Sequence, residues 1–195
     1  INLPTSLIDN LDTTQLTVEA VVYHTSWGTS SGSRPYIANW NTWSPGNQKG
    51  FILRTYTTSQ YPSFWYCWGA NYTSITASTQ MNLNQYYHVV GVFKKDSYAK
   101  IYVNGVEETS FATDTNPSSS QNSILNDGST SVTIGRSGSI YTNLYMAEVI
   151  FIDGQALDPT SFGVTNSDGV WTPIPYSGTF GTNGFNLQFE NSAAL

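Results

Sequence analysis

Glutamates are the residues of this sequence whose chemistry could cleave a glycosidic bond. That reaction usually needs two carboxyl groups flanking the bond, one protonated and one ionised. Five glutamates occur, at positions 19, 107, 108, 148 and 190. None belongs to a Glu-x-Asp-x-Glu motif, in which the alternation of a strand would place all three carboxyl groups on one face. Glu107 and Glu108 are adjacent, so a strand would place them on opposite faces. Glu19 and Glu148 could act together only if the fold brought them together. We expect them to be structural carboxylates near strand ends, and we expect no catalytic residues.

The two histidines, His24 and His88, offer a second route to catalysis, together with a serine nucleophile. Many serine hydrolases carry that serine in a Gly-x-Ser-x-Gly turn. The sequence has no such motif, since Gly32-Ser33-Arg34 lacks the second glycine. His88 shares one face of a predicted strand with Val90 and Val92. We therefore interpret His88 as a core or cross-strand hydrogen-bonding residue.

Aromatic side chains are the better candidates for ligand contact. Six tryptophans occur in 195 residues. Several aromatic residues lie in or beside turn-rich segments, where a flat ring can stack on the C–H face of a sugar while Asn, Ser and Thr bind its hydroxyls. The candidate glycan-binding residues are Trp27, Tyr36, Trp40, Asn41 and Trp43. The alternative is that these rings pack in the core or between subunits, where aromatic residues are enriched. Three further tryptophans are expected in the core: Trp65, Trp68 and Trp171.

Composition narrows the class of protein. Charged residues are 10% of the chain, aromatic residues are 14%, and the net charge is −6. This profile excludes a coiled coil, an ordinary helical bundle and a disordered acidic tail. The net negative charge argues against a nucleic-acid partner, because proteins that bind nucleic acids usually carry a basic patch. No apolar run approaches the ~20 residues of a membrane-spanning helix, so we expect no membrane partner. The lone Cys67 is expected to be a small buried apolar residue.

Alternating apolar residues predict β-strands through most of the chain. Leu16, Val18, Ala20 and Val22 alternate with polar residues, as in a half-buried strand. The segment 146–152 is apolar on both faces apart from Glu148, so we expect it at the centre of a sheet. The long polar stretch 113–131 is expected to be a surface loop.

Turn signals agree with that pattern. Asn104-Gly105 predicts a type I′ hairpin, because both residues tolerate positive φ. One helical turn is expected from Asp158 as N-cap, with Pro159 at the first position and Gly163 closing it. Many short strands with a single helical turn predict one antiparallel β-sandwich spanning residues 1–195.

Three blocks of sequence resemble the laminin-G-like, concanavalin A-like jelly roll. The first is Leu16–Tyr23, the second runs from Tyr86–Phe93 to Ala99–Val106 and includes Tyr-Val-Asn-Gly, and the third runs from Val132–Arg136 to Leu144–Val149. Their order and spacing match the family from residue 16 to residue 163. The resemblance implies an all-β antiparallel sandwich.

The same resemblance raises the question of calcium, which many laminin-G-like domains bind at the sandwich rim. The ion needs six to eight oxygen ligands, some from carboxylates. The corresponding loops here are Asn39–Trp43 and Arg136–Asn143, and neither contains Asp or Glu. We therefore expect no metal and no cofactor.

The C-terminal block has a more particular likeness. Phe151–Pro159, Gly169–Trp171 and Gly178–Phe185 resemble the laminin-G-like modules of tailed bacteriophage structural and fibre proteins. The resemblance implies a segment of a longer, oligomeric virion protein on the particle surface. We expect a non-enzymatic module that binds host-surface glycan or packs against neighbouring virion chains. The alternatives are a glycoside hydrolase of the same fold and a secreted cellular lectin-like domain.

Overall fold

The structure, a computed structural model, describes residues 1–3, 14–28, 32–41, 48–69, 71–108, 111–113 and 131–189. Within these ranges the side chains of residues 40, 41, 48, 49, 68, 69, 71 and 111–113 are outside the description. The predicted loop 113–131 falls almost entirely outside the described residues.

Sixteen strands make up nearly all the regular structure of the described residues. In chain order they are β1 Gln15–His24, β2 Ser33–Asn41, β3 Gln48–Tyr56, β4 Pro62–Gly69, β5 Asn71–Thr76, β6 Tyr86–Lys94, β7 Tyr98–Val103, β8 Val106–Glu108, β9 Phe111–Thr113, β10 Thr133–Ile134, β11 Arg136–Ser137, β12 Ile140–Tyr141, β13 Leu144–Asp153, β14 Gly163–Thr165, β15 Trp171–Pro173 and β16 Phe185–Gln188. One 3₁₀ turn occurs among the described residues, Pro159–Ser161, and it precedes β14.

Two six-stranded sheets form the body of the protein. The first has the strand order β16-β13-β1-β6-β7-β8, and the second has the order β10-β2-β3-β4-β5-β9. Strands β11–β12 and β14–β15 form two separate hairpins. The strand pairings in both sheets are antiparallel, which confirms the predicted all-β antiparallel sandwich.

The main core lies between the two sheets. Leu16, Val18, Ala20 and Val22 of β1 point into it, as their alternation predicted, together with Phe51 of β3. The Phe51 ring stacks on Phe151 of β13, with 5.4 Å between the ring centres. Because period-two alternation puts every second residue of a strand on this face, the intervening residues face away from the opposite sheet.

A smaller apolar cluster covers the outer face of the first sheet. Val90, Val92, Ile150 and Ile152 lie there, beneath Phe162. The half-buried residues Ala156, Leu157, Tyr176 and Phe180 pack against them. This second core explains why β13 is apolar on both faces: β1 and β16 pair with its two edges, and chain covers its outer side.

Two turns were predicted from the sequence. The Asn104-Gly105 hairpin is confirmed, and the helical turn after Asp158 differs in how it ends. Asn104 and Gly105 adopt φ values of 50° and 78° between β7 and β8, as a type I′ hairpin requires. Asp158 caps the 3₁₀ turn by accepting a hydrogen bond from the Thr160 N–H. Gly163 does not close that turn; it begins β14, where its missing side chain makes room for the Trp171 ring.

No helix among the described residues has the length and apolarity to cross a membrane.

Candidate functional site

Trp27 is the one predicted glycan-binding aromatic residue that the structure places beside a turn. It follows the end of β1, is half-buried, and its ring centre lies 4.5 Å from that of His24. Nη2 and Nε of Arg34 donate to the Trp27 carbonyl at 2.9 and 3.2 Å. Burial and the Arg34 charge lower the pKa of His24 to about 4, so this ring is neutral near pH 7.

Tyr36 requires a correction. It lies inside β2 rather than in a loop, and its side chain is completely buried in the core. Its hydroxyl contacts Thr55 Oγ1, lies 3.0 Å from Nε2 of His24 and donates to Sδ of Met81. A residue whose hydroxyl is held by these core partners supports the sheet and does not contact a ligand at the surface.

The remaining predicted site residues stay predictions. Trp40 and Asn41 end β2, where their backbones pair with Gly50 and Lys49 of β3. Their side chains are outside the description, and Trp43 falls outside the described residues.

A different set of aromatic residues is brought together by the register of the first sheet. Tyr23 of β1 pairs with Tyr145 of β13 on one side and with Tyr86 of β6 on the other. The ring centres of Tyr23 and Tyr86 are 4.9 Å apart, and those of Tyr23 and Tyr145 are 6.0 Å apart. We call these three residues the tyrosine row. It crosses the outer face of the sheet at the end where β1 stops and β6 and β13 start.

The tyrosine row is open to solvent and electrically neutral. Tyr145 is 64% exposed and Tyr86 is 56% exposed, while Tyr23 between them is half-buried. The segments 23–28, 82–87 and 141–147 contain no Asp, Glu, Lys or Arg. Exposed amide and hydroxyl groups flank the row on Thr25, Gln85 and Asn143. Such a surface can stack on an apolar ring face and hydrogen-bond the edges of the same ligand without providing a charge.

An apolar cavity of about 270 Å³ adjoins this surface. Tyr145 belongs to the tyrosine row and also lines the cavity, together with Ile134, Leu144, Met146 and Phe189. Leu144, Met146 and Phe189 of its lining also pack against the main core, so the cavity meets the row only at Tyr145.

The same outer face carries a cluster of ionisable groups further along the three strands: Glu19 of β1, His88 of β6 and Glu148 of β13. Glu19 is paired with Ile150 and Val90, and Glu148 lies two residues from Ile150 on the same face. Nε2 of His88 lies 3.2 Å from Oε1 of Glu19, and both side chains are nearly inaccessible, at 2% and 1% exposure. The fold thus does bring Glu19 and Glu148 together. Glu19 lies in the middle of β1, not near its end as expected.

The electrostatics of the cluster follow from its burial. Burial, and the nearby Glu148 carboxylate, raise the pKa of Glu19 well above its ordinary value. Burial lowers the pKa of His88 to about 4. Nε1 of Trp171 donates to Nδ1 of His88 at 3.1 Å, which leaves the imidazole proton on Nε2, towards Glu19. The neutral imidazole of His88 therefore faces a carboxyl group whose protonated form is favoured by burial.

The hairpin β14–β15 covers His88 with the side chain of Trp171. The Trp171 ring lies between Gly105 and Gly163, where an added Cβ would approach ring atoms to 2.3 and 2.4 Å. Trp171 is half-buried and packs outside the sheet, over His88, rather than between the sheets. Glu19 and His88 are therefore nearly inaccessible to solvent, while Glu148 is half-buried.

The described part of the chain has no cluster of side chains suited to hold a metal ion. No set of three or more His, Cys, Asp or Glu side chains there could hold an ion. The sequence-based expectation about calcium remains a prediction.

Comparison with known proteins identifies the family. A laminin-G model, described as the concanavalin A-like lectin/glucanases superfamily, matches residues 1–161. The chain therefore belongs to that superfamily. A comparison with curated protein sequences finds no match.

Solved structures show the same fold at low sequence identity. The heptameric SAP-like pentraxin from Limulus polyphemus is 19% identical, with a TM-score of 0.51 over 75% of this chain and 66% of the pentraxin. A Bacteroides ovatus protein with a suggested carbohydrate-binding role is 16% identical, with a TM-score of 0.50 over 83% of this chain and 45% of that protein. A Trypanosoma rangeli sialidase is 16% identical, with a TM-score of 0.48, and the match covers 74% of this chain and 21% of the sialidase. The chain thus spans less than two thirds of each of these proteins. The superfamily description names both lectins and glucanases, so membership is compatible with binding and with catalysis.

The tyrosine row was missed by sequence reasoning for a physical reason. Tyr23, Tyr86 and Tyr145 each occupy an outward position in a strand that alternation predicted. Their meeting depends on the pairing register of three strands separated by more than 50 residues, and alternation within one strand does not fix that register.

Proposed function

We propose that this protein is a non-enzymatic carbohydrate-binding module. The observation that carries the proposal is the tyrosine row, three rings side by side on adjacent strands, of which two are more than half exposed. Tyrosine combines an apolar ring with a polar hydroxyl, so one side chain can stack on a sugar and hydrogen-bond it. Membership of a superfamily that contains lectins supports this assignment.

The geometry of the row favours a soluble, twisted glycan chain. The Tyr23 ring is tilted by 53° against Tyr86 and by 45° against Tyr145. Successive rings therefore do not form one plane, as a flat crystalline polysaccharide surface would require. The neutral surroundings favour uncharged sugars at this place.

The biological setting we propose is the surface of a bacteriophage particle. The support is the resemblance of the C-terminal block, from Phe151 to Phe185, to laminin-G-like modules of tailed-phage structural and fibre proteins. In that setting the module binds host-surface glycan as part of an oligomeric appendage, or packs against neighbouring virion chains. Recovery of peptides from this chain in purified phage particles is the expected result. The proposed setting would be contradicted if this sequence were encoded in a cellular gene, downstream of a secretion signal.

Binding is tested by titrating bacterial surface polysaccharides and neutral oligosaccharides into the protein by calorimetry. Tyr145→Ala and Tyr86→Ala are each expected to weaken binding at least tenfold, or by about 1.4 kcal/mol. Tyr98→Ala is the matched control, since Tyr98 is a half-buried tyrosine at the opposite end of the same sheet. Equal affinity in all variants, or no binding to any glycan, overturns the proposal.

Glycoside hydrolysis is the second candidate, and one observation favours it. Glu19 and Glu148 share a face of the sheet, and the pKa of Glu19 is raised, as a general acid requires. The cover formed by Trp171 is the reason that we rank this candidate second. Release of new reducing ends from polysaccharide, lost in Glu19→Gln, would establish hydrolysis and refute the non-enzymatic assignment.

A further inference from the structure

Arg54 carries a buried positive charge that its described protein partners do not neutralise. It is in the middle of β3 on the outer face of the second sheet, and it is 8% exposed. Its guanidinium carbon lies 4.3 Å from the ring centre of Tyr56 and 4.5 Å from that of Trp65. Tyr72 of the adjacent strand stacks on Trp65 with 5.1 Å between ring centres and only 4° between the planes. A cation is thus held within an aromatic cluster on the sheet surface.

The hydrogen bonds of Arg54 go to neutral hydroxyl groups. Nε donates to Ser63 Oγ at 3.3 Å, Nη1 donates to Ser33 Oγ at 3.4 Å, and Nη2 donates to the Tyr56 hydroxyl. No carboxylate pairs with Arg54 within the described ranges. A guanidinium has five N–H donors in a planar fork, so these three bonds leave one donor on Nη1 and one on Nη2.

A buried guanidinium without a counter-charge is costly. Buried charges in proteins are normally paired, since transfer out of water is poorly compensated by neutral partners. Burial accordingly lowers the pKa of Arg54, and no carboxylate opposes that shift. Contact with two ring faces recovers part of the cost. The two remaining donors have the geometry that a carboxylate accepts in bidentate fashion.

We propose that Arg54, with Trp65 and Tyr56, forms a second binding site, which takes the carboxylate of an acidic sugar of the uronic-acid or sialic-acid type. The carboxylate would pair with the two free donors on Nη1 and Nη2, and the sugar ring would lie against the aromatic cluster. This inference rests on the proposed carbohydrate-binding function but uses a different sheet and none of the tyrosine row. The two sites would let one module bind a glycan that contains both neutral and acidic sugars.

The experiment titrates glucuronic acid and N-acetylneuraminic acid into the full chain and follows the tryptophan indole resonances by NMR. Methyl glucoside and inorganic sulfate are titrated in parallel. Wild-type protein is expected to bind the acidic sugars saturably, with shifts at Trp65, and to bind methyl glucoside at least tenfold more weakly at this place. The affinity should fall as salt concentration rises.

Variants separate this site from the first one. Arg54→Lys keeps the charge but loses the fork, and it should weaken acidic-sugar binding at least tenfold. Tyr145→Ala should leave that binding unchanged while it reduces binding of neutral glycans. Failure of the Tyr145 variant to affect any glycan would count against the proposed function and not against the Arg54 site. If Arg54→Lys does not fold, the wild-type Trp65 shifts and their salt dependence still decide.

Three results overturn the inference. The first is the absence of saturable acidic-sugar binding to wild-type protein. The second is unchanged affinity in folded Arg54→Lys. The third is sulfate binding as tight as that of the sugars, which would show a simple anion site rather than recognition of a sugar carboxylate.

Discussion

Nε2 of His88 lies 3.2 Å from Oε1 of Glu19 on the outer face of the first sheet, where both side chains are nearly inaccessible and Trp171 packs against His88. The contact is not a well-aligned hydrogen bond, since neither His88 Nε2 nor Glu19 Oε1 has an aligned hydrogen-bond partner among the described residues. Buried polar groups in this state are uncommon and make the stability of the fold depend on pH.

His88 should destabilise the fold as the solution becomes acidic. The pKa of His88 is about 4 in the folded protein, against 6.5 ordinarily. Below pH 6.5 His88 is therefore protonated in the unfolded chain but stays neutral in the folded protein. The free energy of unfolding falls as the pH drops towards 4. For one histidine the loss is about 3 kcal/mol. Urea titrations from pH 7 to pH 4 should show a smaller loss in His88→Gln than in the wild type, by roughly this amount. Parallel pH profiles for the two proteins would rule out His88 as the cause.

Trp171 should control the protonation of His88 through its indole N–H. Trp171→Phe keeps an aromatic ring between Gly105 and Gly163 but removes the donor to Nδ1 of His88. Since that hydrogen bond favours the neutral imidazole, its loss should raise the pKa of His88 by roughly 1, towards its ordinary value. Histidine side-chain NMR measured against pH reports the change directly. His24, which has no contact of this kind with Trp171, serves as the internal control and should titrate as before.

Tyr36 should matter for stability and not for glycan binding. Tyr36→Phe removes the hydroxyl that contacts Thr55 and lies 3.0 Å from Nε2 of His24 in the core. Leaving such buried polar groups without a partner costs about 1–3 kcal/mol. Thermal unfolding should show the loss, while calorimetric titration of the folded variant should give wild-type glycan affinity. Weakened glycan binding in well-folded Tyr36→Phe would restore Tyr36 to the binding site.

Patterns within a single strand were enough to predict the fold. Alternation in β1 placed Leu16 and Val18 towards the core, and Asn104-Gly105 marked the β7–β8 turn, because both signals depend on neighbouring residues alone. The two-sided apolar character of β13 predicted the centre of the sheet; the strand is second from the edge, with β16 outside it, and it is apolar on both faces because a second apolar cluster covers its outer side.

The binding surfaces could not be predicted in this way, because they depend on which strands pair and in what register. Tyr36 seemed to lie beside a turn because Ser33-Arg34-Pro35 precedes it, yet β2 includes all three residues. The bulge between Pro35 and Ile37 further shifts the pairing at that point. Glu19 and Glu148 are 129 positions apart in the chain, and only the β1–β13 register places them on one face.

Gly50 should be indispensable for the pairing of β2 with β3 near Trp40. Its φ is 112°, and a Cβ there would lie 1.7 Å from the carbonyl oxygen of Asn39, a backbone atom that cannot move aside without breaking the sheet. Gly50→Ala should therefore lower the free energy of unfolding by more than about 3 kcal/mol. Gly138→Ala is the matched control: Gly138 also has a positive φ, of 57°, but no atom lies within 4 Å of the added Cβ. It should cost only about 1–2 kcal/mol from backbone strain. Urea unfolding of both variants measures the difference, and equal stabilities would show that the strand pair tolerates a side chain at position 50.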